Sequence, residues 1–259
     1  MDTRPEVVEY WNKRSLLGEM AGTKDLPAKQ LEMKTLAECF PNDSTETVVD
    51  MGCGNGMTSV FLKHARPGMT ITGVDNSPGM VKAATNYATN IENVDVKYVE
   101  GSVLTWRPES PVDAIYTERT LINLPDWPAQ REAILNILQC LKRGGKGTYL
   151  MMENSADGLK QINTWREAAG LPLIEAPWHN HYINDHDIGD ICDNQYGYLL
   201  SIINYSGPYY FISRVVTAWI AKELNQEPRY DAKTNQLGSL LPQIPGLKGQ
   251  GRLWVWRTK

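Results

Sequence analysis

The sequence predicts an α/β fold, a doubly wound and mostly parallel sheet covered by helices, and three observations carry that expectation. Short apolar runs alternate with helical patterns over 46–153, the rhythm of strand–helix–strand units rather than of hairpins. One of these strands runs directly into an acid and three alternate glycines, Asp50, Gly52, Gly54 and Gly56. The next strand ends in a second acid, Asp75, nineteen residues beyond the last of those glycines.

Element by element, strands are expected at 47–51, 70–75, 94–99, 112–117 and 147–153, with helices at 58–65, 78–90 and 126–141 between them. Two amphipathic helices, 6–14 and 27–40, come first and flank a flexible stretch at 18–25 that holds Gly18 and Gly22. The chain thus reads as one domain over 1–259: an N-terminal helical lid (1–45), a cofactor-binding core (46–153), and an aromatic-rich C-terminal insertion with the last strands (154–259). With 259 residues and 42% hydrophobic content it has material for one large core.

Ligands of such sheets sit outside the carboxyl ends of the strands, so the ends at Asp50, Asp75, Gly101, Glu118 and Glu153 are expected to converge on one crevice. The glycines name the ligand class. They lack a Cβ where the chain turns, which lets the backbone approach a ligand closely. A dinucleotide site wants its third glycine three residues after the second, whereas here Met57 stands there and the pattern is GxGxG, so NAD fits poorly.

Asp50, Gly52, Gly54 and Gly56 resemble the first motif, D-x-G-x-G-x-G, of the class I S-adenosylmethionine (SAM) dependent methyltransferases. The resemblance implies a Rossmann-like fold and SAM as co-substrate. It makes Asp50, Gly52, Cys53, Gly54 and Gly56 the cofactor turn, and Asp75 the acid that accepts the ribose hydroxyls. It also sets Asn76 and Ser77 over the adenine and Gly101, Ser102 and Val103 at its other edge, although many members carry Asp where Ser102 stands. Tyr10 and Arg14 are expected to supply an aromatic wall and a cation for the methionyl carboxylate, with Glu118 also on the cofactor side.

The acceptor region follows the fourth strand. Base and amide N-methyltransferases often carry Asn/Asp-Pro-Pro-aromatic at this place, and Thr117 to Thr120 does not resemble it, so a base-modifying enzyme is not expected. Beyond the fifth strand, 172–214 concentrates polar aromatics and histidines, including Trp178, His179, Asn180, His181, Tyr182, Tyr196, Tyr198, Tyr205, Tyr209 and Tyr210. Such side chains give apolar walls with hydrogen-bonding tips and a face for a sulfonium cation, although cores use them too. His179, Glu118, Tyr182 and Arg119 are the candidate catalytic residues; Asn123, Asn154, Arg166, Trp178, Asn180, Tyr209 and Arg214 are the candidate acceptor-binding residues. A hydroxyl acceptor would need a base such as His179 or Glu118, and an anionic one would need Arg119, Arg166 or Arg214.

Composition narrows the partners. A net charge of −4 with no clustered basic footprint argues against nucleic acid. No apolar run reaches the roughly 18 residues needed to span a bilayer. Cysteines 39, 53, 140 and 192 form no CxxC pair, and the N-terminus carries no apolar signal segment, so a reduced cytoplasmic setting is expected. The His179/His181 and Asp185/His186/Asp187 groupings fix no coordination number, and no metal is expected. The leading expectation is methyl transfer to oxygen or nitrogen of a small polar molecule. The alternatives are a same-fold enzyme that releases methylthioadenosine from SAM, by cyclising it or by moving its aminocarboxypropyl group, and a non-catalytic SAM-binding module. Sequence leaves the oligomeric state open.

Overall fold

The structure, a computed structural model, describes residues 4–40, 45–92, 94–189, 191 and 198–259. Cys192 and Tyr196 lie outside the described residues. Seven strands, β1 (Thr47–Met51), β2 (Thr70–Asp75), β3 (Val96–Glu100), β4 (Ala114–Glu118), β5 (Thr148–Asn154), β6 (Tyr198–Ile203) and β7 (Gly251–Thr258), form one sheet in the order 3-2-1-4-5-7-6. β1 to β5 pair in parallel, and β7 inserts antiparallel between β5 and β6.

Strand periodicity sorts the core into two faces. Val49, Met51, Ile115, Tyr149, Met151, Trp254 and Trp256 point to one side, where α5 (Trp127–Gln139) covers them with Ala133, Ile134, Ile137 and Leu138. Their neighbours Val48, Ala114, Tyr116, Leu150, Met152, Leu253 and Val255 point to the other, against Leu36 of α2 (Leu26–Cys39) and Leu62 of α3 (Met57–Ala65). Burial on both faces explains why these strands read as continuous apolar runs. It also explains the two tryptophans of β7, each fully buried beside Met151 and Tyr149 of β5, a strand that sequence reasoning had not resolved.

Helix starts follow the local chemistry. Asp25, Ser77, Asp126 and Ser155 each accept an N–H of the first turn, beginning α2, α4 (Pro78–Thr89), α5 and α6 (Ala156–Ala168), and the first three of these also carry proline in that turn. The stretch expected to be flexible is partly built: α1 (Pro5–Arg14) continues into a 3₁₀ segment, Ser15–Met20. Arg14 Nε and Nη2 donate to the carbonyls of Ala21 and Met20, and Asn55 Nδ2 donates to that of Gly18. After the short α7 (Asp185–Gly189) and β6, α8 (Gly207–Phe211) runs through a π-helical turn, Ile212–Val216, into α9 (Thr217–Glu223), and α10 (Lys233–Leu240) precedes β7.

Candidate active site

β1 pairs with β2 on one side and β4 on the other, so the direction of winding reverses there and a crevice opens at their carboxyl ends. Gly52 N–H and Cys53 N–H donate to Val74 O at 2.6 and 3.0 Å, which closes the turn after β1 onto β2. Each glycine of the run has its own reason. A Cβ on Gly52 would fall 2.1 Å from Thr120 Oγ1, and one on Gly56 would meet Tyr98 Oη at 2.6 Å. Gly54 has φ +54° and nothing within 4 Å of a Cβ. The reading that all three admit a ligand is therefore corrected: Gly52 admits the β4 loop, Gly56 admits Tyr98 and does not line the crevice, and Gly54 alone of the three faces open space.

The crevice spans about 1120 Å³ including its mouth, within reach of cofactor-sized ligands. Asp50, Gly52, Cys53, Gly54, Asp75, Asn76, Ser77, Gly101, Ser102, Val103 and Glu118 line it as expected, joined by Arg4, Val7, Val8, Trp11, Lys29, Asn55, Thr58, Met80 and Thr120. Asp75 is oriented by two backbone donors, Gly54 N–H and Ser77 N–H, both at 2.8 Å. Burial pushes its carboxyl up, opposed by those bonds. Asp50 accepts from Ser59 Oγ, and burial pushes it up to about 7.

Beneath this end lies an ionic cluster. Lys29 Nζ donates to Glu118 Oε1 and Thr58 Oγ1, both at 2.7 Å, and Thr58 Oγ1 donates to Glu118 Oε2 at 2.5 Å. Burial opposes ionisation of Glu118, yet Lys29 and Arg119 hold it down to about 2. Its neighbour Glu32, 2% exposed, is pushed up to about 8, chiefly by burial, with Arg119 3.4 Å away pulling the other way. Glu153 does not reach the crevice as expected of a strand end. It turns inward and accepts from Thr120, Leu121 and Ile122 N–H at 3.0–3.4 Å, which shapes the loop after β4.

A second cavity of about 950 Å³ adjoins the first, sharing Trp11, Gly22, Arg119 and Asn123 with it. His179, Tyr182, Asn154, Asn180 and Arg214 line it with Tyr10 and Arg14. Tyr10 and Arg14 are thus corrected from cofactor wall to the neighbouring chamber, because Arg14 is held by the carbonyls of the 3₁₀ segment. Arg166 is not brought to either cavity: it binds Pro172 O and Arg214 O. Tyr209 is buried with its hydroxyl on Asp25, and Trp178 is 61% exposed, edge-on to His179. His179 lies among Tyr10, Trp11 and Trp178; burial and then the charges of Arg4 and Arg14 push it down to about 4. Tyr182 Oη accepts from Gln250 Nε2 at 2.7 Å, and burial pushes it up.

α1 crosses the mouth and bonds both rims. Asn12 Oδ1 accepts from Ser77 Oγ and Gly79 N–H on one side; on the other, Trp11 Nε1 donates to Asn123 Oδ1, and Arg4 Nη2 to the carbonyls of Asn123 and His179. Arg4 and Lys29 carry no local signal, since each reaches the crevice only through the packing of its element, whereas Asn55 lies within the glycine run itself.

The sheet order, the glycine turn with its two acids, and the crevice they form are features that this chain shares with class I SAM-dependent methyltransferases, to which it is similar. Residues 48–145 match the family described as a methyltransferase domain. Among curated relatives the chain is 28% identical over 172 residues to a trans-aconitate 2-methyltransferase of Escherichia coli, an alignment covering 66% of this chain. It spans 59% of that relative's length. In fold it is similar to a Haloferax volcanii putative methyltransferase solved in complex with the Trm112 methyltransferase activator (TM-score 0.63, 17% identity, 96% of each chain covered). It is also similar to magnesium protoporphyrin IX methyltransferase from Synechocystis PCC 6803 with bound S-adenosylhomocysteine (TM-score 0.60, 18% identity, 77% of this chain and 91% of that one covered).

Proposed function

We propose that this protein transfers the methyl group of SAM to an oxygen of a small molecule that arrives already ionised, a carboxylate being the simplest case. The carrying observation is that neither candidate base is suited to deprotonating a hydroxyl. His179 is pushed down to about 4 by burial and neighbouring arginines, and Glu118, though buried, is held down to about 2 by Lys29 and Arg119. Proton abstraction is efficient when the base titrates near working pH, and both lie well below it. A carboxylate needs no base, and an alkyl ester forms from its lone pair alone. The E. coli relative's name, trans-aconitate 2-methyltransferase, supports the same acceptor chemistry.

On this reading Gly54 and Asp75 hold the nucleoside, Asp75 taking the ribose hydroxyls, while Lys29 and Asp50 face the amino-acid end. SAM supplies a methyl group already activated by the sulfonium; as the carboxylate oxygen bonds to it, the S–CH₃ pair returns to sulfur, leaving a neutral thioether and a neutral ester. The protein's part is to line up the two centres and keep water out, for which α1 over the mouth is the cover. Arg119, on the boundary of the two cavities, orients the carboxylate.

The test is mass spectrometry of the nucleoside and acid products after incubation with SAM and a panel of small carboxylates, alcohols and amines, trans-aconitate included. S-adenosylhomocysteine with a methyl ester is the expected result. Methylated alcohols or amines alone would overturn the acceptor assignment, and methylthioadenosine from SAM alone would replace methyl transfer by attack on another carbon of SAM.

A further inference from the structure

The second cavity has a charge pattern that methylation of one carboxylate does not account for. Arg14, Lys24, Arg119 and Arg214 line it with a single carboxylate, Asp25, while Glu32 and Glu118 lie behind Arg119 at 3.4 and 3.9 Å. The Asp25 carboxylate is already shared, accepting from Arg214 Nη2 at 2.6 Å, from Ala28 N–H at 3.1 Å and from Tyr209 Oη. Two of the cations are delivered by irregular backbone. Arg119 sits directly after β4 at φ +55°, one of two described non-glycine residues with positive φ. It is held there by its N–H on Met152 O and its carbonyl under Asn123 Nδ2, both at 2.8 Å. A non-glycine residue in that region is strained and persists where surrounding structure over-determines it, commonly at functional sites. Arg214 rides the π-helical turn Ile212–Val216, a feature also concentrated at functional sites. Its guanidinium lies over the rings of Tyr210 and Tyr230, 5.1 and 5.0 Å from their centroids.

Two residues that line this cavity carry unspent hydrogen-bonding atoms. Arg119 Nε is buried with no hydrogen-bond partner among the described residues, and the same holds for Asn154 Oδ1. Asn154 is 6% exposed and lines this cavity. An unpartnered buried polar atom is destabilising, and a ligand group that reaches it recovers that loss.

Resting on the methyl-transfer reading above, we propose that the second cavity takes an acceptor with two anionic groups: one seated at Arg119 beside the cofactor crevice, where it is methylated, and one retained at Arg214. The product of one turnover then keeps its second negative charge, and an acid with a single carboxylate occupies the Arg119 position without engaging Arg214.

The experiment compares the diacids succinate and glutarate and the triacid tricarballylate with the monoacid butyrate, following S-adenosylhomocysteine formation and, separately, acid binding to the S-adenosylhomocysteine-loaded protein by calorimetry. In R214Q the KM or Kd of the best polyacid rises about tenfold to a hundredfold, the range for losing a charged hydrogen bond, while that of butyrate stays within about twofold. Because R214Q leaves Asp25 buried and unpaired, D25N/R214Q is measured alongside; asparagine still caps α2, and the same selective loss is expected. Equal losses for polyacid and butyrate, no loss for either, or no binding of any polyacid to the wild-type protein overturns the proposal. If polyacids bind with this selectivity but no carboxylate is methylated, the methyl-transfer reading fails and the two-anion site stands.

Discussion

Gly54 and Gly144 give a matched pair of substitutions that separates backbone strain from cofactor approach. Both have positive φ, +54° and +70°, and neither has any atom within 4 Å of an added Cβ. Gly54 lines the cofactor crevice, whereas Gly144 is exposed in the turn before β5, its N–H on Lys259 O. A Cβ in the left-handed region costs about 1–2 kcal/mol. At about 2–4 °C per kcal/mol for a chain near this size, G54A and G144A should each lower Tm by about 2–8 °C and by similar amounts. SAM affinity, measured by calorimetry below both Tm values, should separate them: unchanged in G144A, and at least about tenfold weaker in G54A, a loss of about 1.4 kcal/mol or more. If G54A binds SAM as tightly as G144A does, the open space at Gly54 is not where the cofactor lies and the assignment of the crevice fails.

Asp75→Ala removes both the proposed ribose acceptor and the group that ties Gly54 N–H to Ser77 N–H, so calorimetry should find SAM binding weakened more than tenfold in a protein whose circular dichroism stays native; unchanged affinity refutes the role. Lys29→Met leaves Glu118 buried without its principal cation, a loss of about 3–5 kcal/mol at neutral pH by urea unfolding. Because Glu118, despite burial, is held below its ordinary value of 4.5, down to about 2, the stability it supplies is complete above 4.5 and drains away as pH falls toward 2. The gap between wild type and K29M should therefore narrow across that window, and a gap constant from neutral pH down to about 3 would contradict the pairing. SAM should also slow proteolysis at the 18–24 segment, whose Gly22 lines both cavities; identical cleavage with and without SAM removes α1 and its 3₁₀ extension as a cover.

The strand–helix rhythm and the crevice at the β1/β4 reversal were legible in the residues, because both depend on local patterns: short continuous apolar runs, capping side chains and a turn at φ +54° to +82° that favours glycine. Strand boundaries shifted by one or two residues, 94–99 becoming Val96–Glu100 and 112–117 becoming Ala114–Glu118. The antiparallel β7 escaped because its fully buried tryptophans look, in sequence, like any aromatic run.

What the sequence by itself determined is the lining of the first crevice: Asp50, Gly54, Asp75, Ser77 and Gly101 to Val103 lie within or next to the ends of strands whose order the fold dictates, so position along the chain carries position in space. The acceptor side was decided by tertiary structure. Arg119 and Arg214 stand ninety-five positions apart in the chain, and Arg14 two hundred apart from Arg214, yet all three line one cavity. Arg166, an arginine indistinguishable from them in sequence, is spent on two carbonyls away from both cavities, whereas Arg14, also on two carbonyls, still lines one. Which arginines remain available to a ligand depends on which carbonyls and carboxylates packing brings within reach, and that long-range competition leaves no local trace in the chain.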